Sequence, residues 1–141
     1  MAGYSGYSKS NNALAAEEDG RWPMTVARKI VAKKTGLKVA EAQQLLEKLH
    51  TGEYHHTSKR YNATRYYDTV HAIEYHRLTT FAAALPDDWT ARMNEPRKAV
   101  ENDTRTFAER RAEIGAVDAA LAAEFGVDAE TLVDAFYELA R

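Results

Sequence analysis

From Thr25 onward, apolar and polar positions alternate along the chain at helical spacing. Val26, Ile30 and Val31 form one apolar face and Arg28, Lys29, Lys33 and Lys34 are spread over the other, which predicts a helix ended by Gly36. After "GLK", the run "VAEAQQLLEKLH" sets Val39, Ala42, Leu45, Leu46 and Leu49 at the same spacing, predicting a second helix with Gly52 as its stop. The pattern then changes. Residues 53–68, "EYHHTSKRYNATRYYD", are rich in Tyr and Thr with "SKR" and "NAT" as turn candidates, and predict a β-hairpin with a basic tip. Asn62-Ala63-Thr64 fits a glycosylation sequon, but in a cytoplasmic chain it reads as a turn.

Helical spacing returns after Asp68. "TVHAIEYHRLTTFAAAL" predicts a helix ending before Pro86, and "PDDWTARMNEP" a connector or short helix between two prolines. A long helix is expected from about Lys98 to Phe125, with Phe107, Ile114, Val117, Leu121 and Phe125 on one stripe and Gly126 as its cap. Asp128 opens a last helix with Leu132, Phe136 and Leu139 on its apolar face, and Val127 and Leu132 are spaced as a hydrophobic staple. At the other end, "GYSGYS" has no periodicity and reads as an arm. Ser10 is a candidate N-cap for a short helix through "NNALAAEED", which Gly20 stops, and Trp22 and Pro23 mark the junction. The expected fold class is mainly α with a small β-hairpin.

Composition narrows the function classes. The chain has 141 residues, 45% hydrophobic and 28% charged, which suits one compact soluble domain, or a small domain with a helical extension, with one main core expected, and no apolar run approaches the roughly 20 residues of a membrane span. The N-terminus lacks an apolar stretch after a basic start, so no secretory signal is read there, and a cytoplasmic location is the default. No cysteine is present, which excludes disulfides and thiol chemistry and removes the commonest structural zinc ligands. The net charge of −2 conceals a split: residues 20–77 carry eleven Lys or Arg against five Asp or Glu, and residues 78–141 carry seven against thirteen. A basic half favours a polyanion through phosphate neutralisation and counterion release. Packing of the halves on each other or on a second copy would use the same asymmetry.

The segment "VARKIVAKKTGLKVAEAQQLLEKL" resembles the helix-turn-helix family of DNA-binding domains, on Ala32 at the expected helix crossing, Gly36 in the turn, Leu37 after it and Leu45 facing back from the second helix. It covers about 25 residues, the length of two short helices and a turn. The resemblance implies that the second helix lies in the major groove, with Lys38, Gln43, Gln44, Glu47 and Lys48 exposed, the glutamines bonding adenine edges and the lysines, with Lys33 and Lys34, meeting phosphates. Thr35 stands where an apolar residue is usual, and Glu41 and Glu47 put negative charge on that helix. The Ala-x-x-x-Gly spacing also recurs at Ala122–Gly126 in an acidic context. A hairpin directly after a recognition helix resembles the wing of winged-helix proteins. It implies that Lys59, Arg60 and Arg65 contact phosphates while His55, His56 and the tyrosines hydrogen-bond backbone or sugar. Tyr54, Tyr61, Tyr66 and Tyr67 are candidate partner contacts or packing residues. The resulting organisation is an arm and short helix at 1–20, a helix-turn-helix with wing-like hairpin at 21–77, and an acidic helical region at 78–141 for interaction or dimerisation.

All five histidines lie between His50 and His76, with five of the eight tyrosines. No metal site is expected, because His71, Glu74, Tyr75 and His76 offer no i, i+4 His pair and adjacent His55 and His56 point to opposite faces of a strand. A metal-free nuclease or transferase could draw on His55, His56, Tyr61, Arg65 and Tyr67, but no phosphate loop, nucleophile elbow or paired-carboxylate motif accompanies them, so a non-enzymatic protein without cofactor is expected. Polyanion binding at histidines should strengthen on acidification. The first expectation is a regulatory DNA-binding protein whose C-terminal part dimerises or recruits a partner. The second is an accessory protein of a phage or mobile element that inhibits a host defence complex by binding protein or protein–nucleic acid surfaces.

Overall fold

The computed structural model describes residues 20–50, 55–56 and 64–140, with 55, 56 and 64 as backbone; the expected arm, the short helix before Gly20 and the hairpin tip lie outside them. In chain order the elements are β1 (Arg21–Trp22), α1 (Met24–Thr35), α2 (Val39–Leu49), β2 (His55–His56), β3 (Thr64–Arg65), β4 (Tyr67–Asp68), α3 (Thr69–Ala83), α4 (Trp89–Ala99), α5 (Phe107–Phe125) and α6 (Ala129–Leu139). The fold is mainly α with a small antiparallel hairpin: a helix-turn-helix-like N-terminal part is followed by a helical C-terminal part. Two compact units divide the chain, Met1–His76 and Arg77–Arg141, with the boundary inside α3. No helix among the described residues is long and apolar enough to cross a membrane.

In the first unit, Pro23 starts α1: its carbonyl accepts from Val26 N at 3.0 Å and Ala27 N at 2.8 Å, donors that a helix start otherwise leaves unsatisfied. Gly36 ends α1 in the left-handed conformation, φ 80°, its N–H donating to Ala32 O at 2.9 Å. Thr35, where an apolar residue was the norm, holds the turn instead: its hydroxyl donates to Val31 O (2.7 Å) and accepts from Leu37 N (3.2 Å). α2 opens at Lys38, whose N–H donates to the Glu41 carboxylate at 2.9 Å.

The shared core is Ala27, Val31, Ala42, Leu46 and Ala72, lined by Trp22, Met24, Ala32, Leu45, Leu49, Tyr67 and Ile73. This corrects the expected faces. Ala42 is fully buried on the face expected for it, but Ala27, not placed there, is fully buried too, whereas Ala32 is only partly so, and Val26 and Val39 are 39% and 43% exposed. Small side chains let the two helices approach closely, and Val26, one residue before Ala27, is rotated about 100° off the contact line.

Two strand pairs complete this unit. β1 runs antiparallel to β4, Arg21 opposite Asp68 and Trp22 opposite Tyr67, and β2 runs antiparallel to β3, His55 opposite Arg65 and His56 opposite Thr64. Thr69 anchors the first pair by donating to Gly20 O from its N–H (3.1 Å) and its hydroxyl (2.5 Å). Gly20 is required there, with φ +78° and Val70 Cγ2 only 2.6 Å from where a Cβ would stand. Asp68 has two roles: one oxygen pairs with Arg21 at 3.4 Å, and the other caps α3 by accepting from His71 N at 2.9 Å.

In the second unit, Leu78, Leu85, Trp89, Met93, Leu121, Ala122, Leu132, Ala135 and Phe136 form the core. Two boundaries differ from the sequence pattern. α4 continues through Pro96 to Ala99, and α5 begins at Phe107, not near Lys98, because Thr106 caps it by accepting from Glu109 N at 3.2 Å. Phe107 therefore falls outside the buried stripe and is 70% exposed. Arg97 and buried Asp118 pair through both oxygens, at 2.9 and 2.7 Å, and Arg97 also donates to Met93 O and lies over the Phe136 ring at 4.7 Å. Burial works against the Arg97 charge, but the Asp118 carboxylate and the Tyr137 hydroxyl together outweigh it, so its pKa is raised.

Candidate nucleic-acid interface

The candidate surface is built on the α1–α2 pair. Lys33 and Lys34 occupy the last turn of α1, and Lys38 stands at the cap of α2, two residues past Gly36. All three are exposed, and none is in an ion pair among the described residues. Lys29, one helical turn before Lys33 and also exposed, extends the row toward the start of α1. The i, i+4 spacing of Lys29 and Lys33 already carried that signal. Lys29, Lys33 and Lys34 are thus exposed cations outside any ion pair among the described residues, while Lys38 has the Glu41 carboxylate at its own N–H.

The outward face of α2 is more engaged than its sequence suggests. Arg28 Nη1 donates to Gln43 Oε1 at 2.7 Å, and Gln43 Nε2 donates to Glu47 Oε1 at 3.1 Å, so both ends of this amide are used within the unit. These two bonds fix the orientation of the amide and leave one acceptor site and one N–H for any contact with a base. Gln44 is exposed and keeps its amide available. Lys48 donates to Tyr75 Oη at 3.2 Å and sits 5.1 Å from the centre of that ring, which ties the end of α2 to α3. Glu41 is held at the Lys38 N–H, so part of the acidic charge on α2 serves the turn.

In the hairpin, the backbone register sets His55 opposite Arg65, and Arg65 is exposed. Lys59, Arg60, Tyr54 and Tyr61 lie outside the described residues. Tyr66 is buried, and Tyr67 is half-buried with its ring 4.7 Å from that of His50, so these two tyrosines pack the unit. His71 sits edge-on to Tyr75 at 6.4 Å. His50 and His71 are thus in separate aromatic contacts, and among the described residues no group of three or more His, Asp or Glu is placed to hold a metal ion. Comparison with protein-family models, curated proteins and solved structures finds no match to this chain.

Proposed function

We propose that residues 21–77 bind duplex DNA without catalysis, and that the lysines around the α1–α2 turn and the cations of the hairpin meet its phosphates. The observation that carries this is the set of exposed lysines Lys29, Lys33, Lys34 and Lys38, on α1 and at the start of α2, none in an ion pair among the described residues. Pairing of β1 with β4 supports the winged-helix resemblance, because it fixes the strand that follows the hairpin to the start of α1. Gln44, exposed, and Gln43, oriented by Arg28 and Glu47, are the base-reading candidates on α2, and phosphate contacts supply most of the affinity. A regulatory role would combine this unit with a homodimer or a partner recruited through residues 78–141. The test is a mobility-shift titration of the protein and a Lys59→Ala, Arg60→Ala, Arg65→Ala variant on duplex DNA. Hairpin participation predicts an affinity loss of roughly tenfold or more, and equal affinity would remove the hairpin from the interface.

A second function, inhibition of a host defence complex by a phage or mobile-element accessory protein, is favoured by one feature: Glu47 on the outward face of α2 limits what that face can read on free DNA. Binding to a purified protein–nucleic acid complex with little affinity for free duplex would select it.

A further inference from the structure

Independently of the DNA-binding proposal, the second unit contains a groove of about 410 Å³ lined by Val100, Glu101, Phe107, Arg110, Arg111, Ile114 and Tyr137. We infer that it is a binding site for a small amphipathic anion, an aromatic or aliphatic body carrying one carboxylate or a similar group.

Three observations point to that chemistry. The walls are apolar, and two of their aromatics face solvent: Phe107 is 70% and Tyr137 49% exposed, an arrangement that leaves large apolar surface wet unless something covers it. The Tyr137 wall is fixed from behind, because the Arg97 guanidinium lies 5.4 Å from its ring centre and Nε donates toward its hydroxyl at 3.4 Å, while Arg97 is itself locked by Asp118. The rim carries two arginines against one glutamate although residues 78–141 are acidic overall: Arg111 is exposed and in no ion pair among the described residues, and Arg110 contacts the Asp103 carbonyl at 3.5 Å and acts on the Asp103 carboxylate. A single guanidinium free to form a forked pair with a carboxylate gives the groove its sign.

Size and charge then select the ligand. A volume of about 410 Å³ falls within the range of small-molecule sites, whereas a stable protein interface needs roughly 800 Å² from each partner. Glu101 on the same rim disfavours a second anionic group, so a monoanion fits better than a dianion.

The test uses the full chain labelled with nitrogen-15 and two probes of nearly equal shape, 2-naphthoate and its uncharged analogue 2-naphthamide. Naphthoate should shift the amide signals of Val100, Phe107, Arg111, Ile114 and Tyr137 with a Kd below about 1 mM, the range a ligand of this size reaches. Naphthamide should bind roughly tenfold more weakly, and Arg111→Gln should remove that preference. Phe107→Ala should weaken both probes. Both side chains are exposed, so the variants keep the fold, which unchanged signals elsewhere would verify. Absence of naphthoate shifts in the groove at several millimolar would overturn the assignment. So would equal binding of the two probes, or binding indifferent to Arg111.

Discussion

Buried charge and shared amides decide what single residues do in this protein. Arg97 and Asp118 form a largely buried ion pair, with side chains 14% and 8% exposed, and they join α4 to α5 beneath α6. Asp118→Ala leaves the guanidinium without its partner and should cost about 3 kcal/mol in a denaturant unfolding experiment. Arg97→Met with Asp118→Leu should recover most of that loss, because apolar replacements of similar volume need no compensation for desolvation. An equally destabilised double variant would show that the arginine acts through its stacking on Phe136 instead. Neither the Arg97–Asp118 pair nor the Arg28–Gln43 bond was legible in the sequence, since partners 21 and 15 residues apart leave no local pattern. The exposed lysines were legible, because solvated positions follow directly from helical spacing.

The caps control where each helix begins and ends. Gly36 has φ 80° and open space around it, so Gly36→Ala should cost about 1 kcal/mol through backbone strain alone, while Gly20→Ala also collides with Val70 and should cost more. Thermal unfolding of the two variants would rank them. Removing the Thr106 cap with Thr106→Ala should likewise cost about 1 kcal/mol. Three carboxylates in such local structures have lowered pKa values: Asp128 through the Thr131 N–H and hydroxyl, Glu124 through Arg92, and Asp103 through the Arg105 side chain and N–H. A folded-state value below the unfolded one gives stability that is complete above the unfolded value, near 4, and is lost as pH falls through the folded values. The unfolding midpoint should therefore drop below about pH 4, and less so in Asp128→Asn; a midpoint that does not fall would contradict this. Helix existence was legible in the apolar spacing, but α4 and α5 were divided at the wrong place. Pro96 suggested a boundary, yet buried Trp89 and Met93 and the Arg97 bond to Met93 O hold α4 together around it. The true start of α5 was written in "TFAE", a threonine followed three residues later by glutamate. The β1–β4 pair was not readable, because two-residue strands have no periodicity.

At the scale of the molecule, the division of charge in the sequence parallels the division of the chain into two units, with the boundary at residues 76 and 77. A basic unit whose lysines make no ion pairs among the described residues gains binding energy by displacing counterions, so its affinity for a polyanion must depend on salt. The fold class was legible at this scale because glycines, prolines and apolar spacing mark helices. The bonds of Gln43 to Arg28 and Glu47 were not, and they orient its amide within the unit. The most direct test is titration of a fluorescent random-sequence duplex at two salt concentrations, with the protein and its Lys33→Glu, Lys34→Glu, Lys38→Glu variant. The predicted result is binding whose log affinity falls with log salt by about 0.9 per phosphate contact, and which the variant loses together with most of that slope. No binding at low salt, or a variant that binds as the unaltered chain does, would contradict a DNA-binding role for this surface.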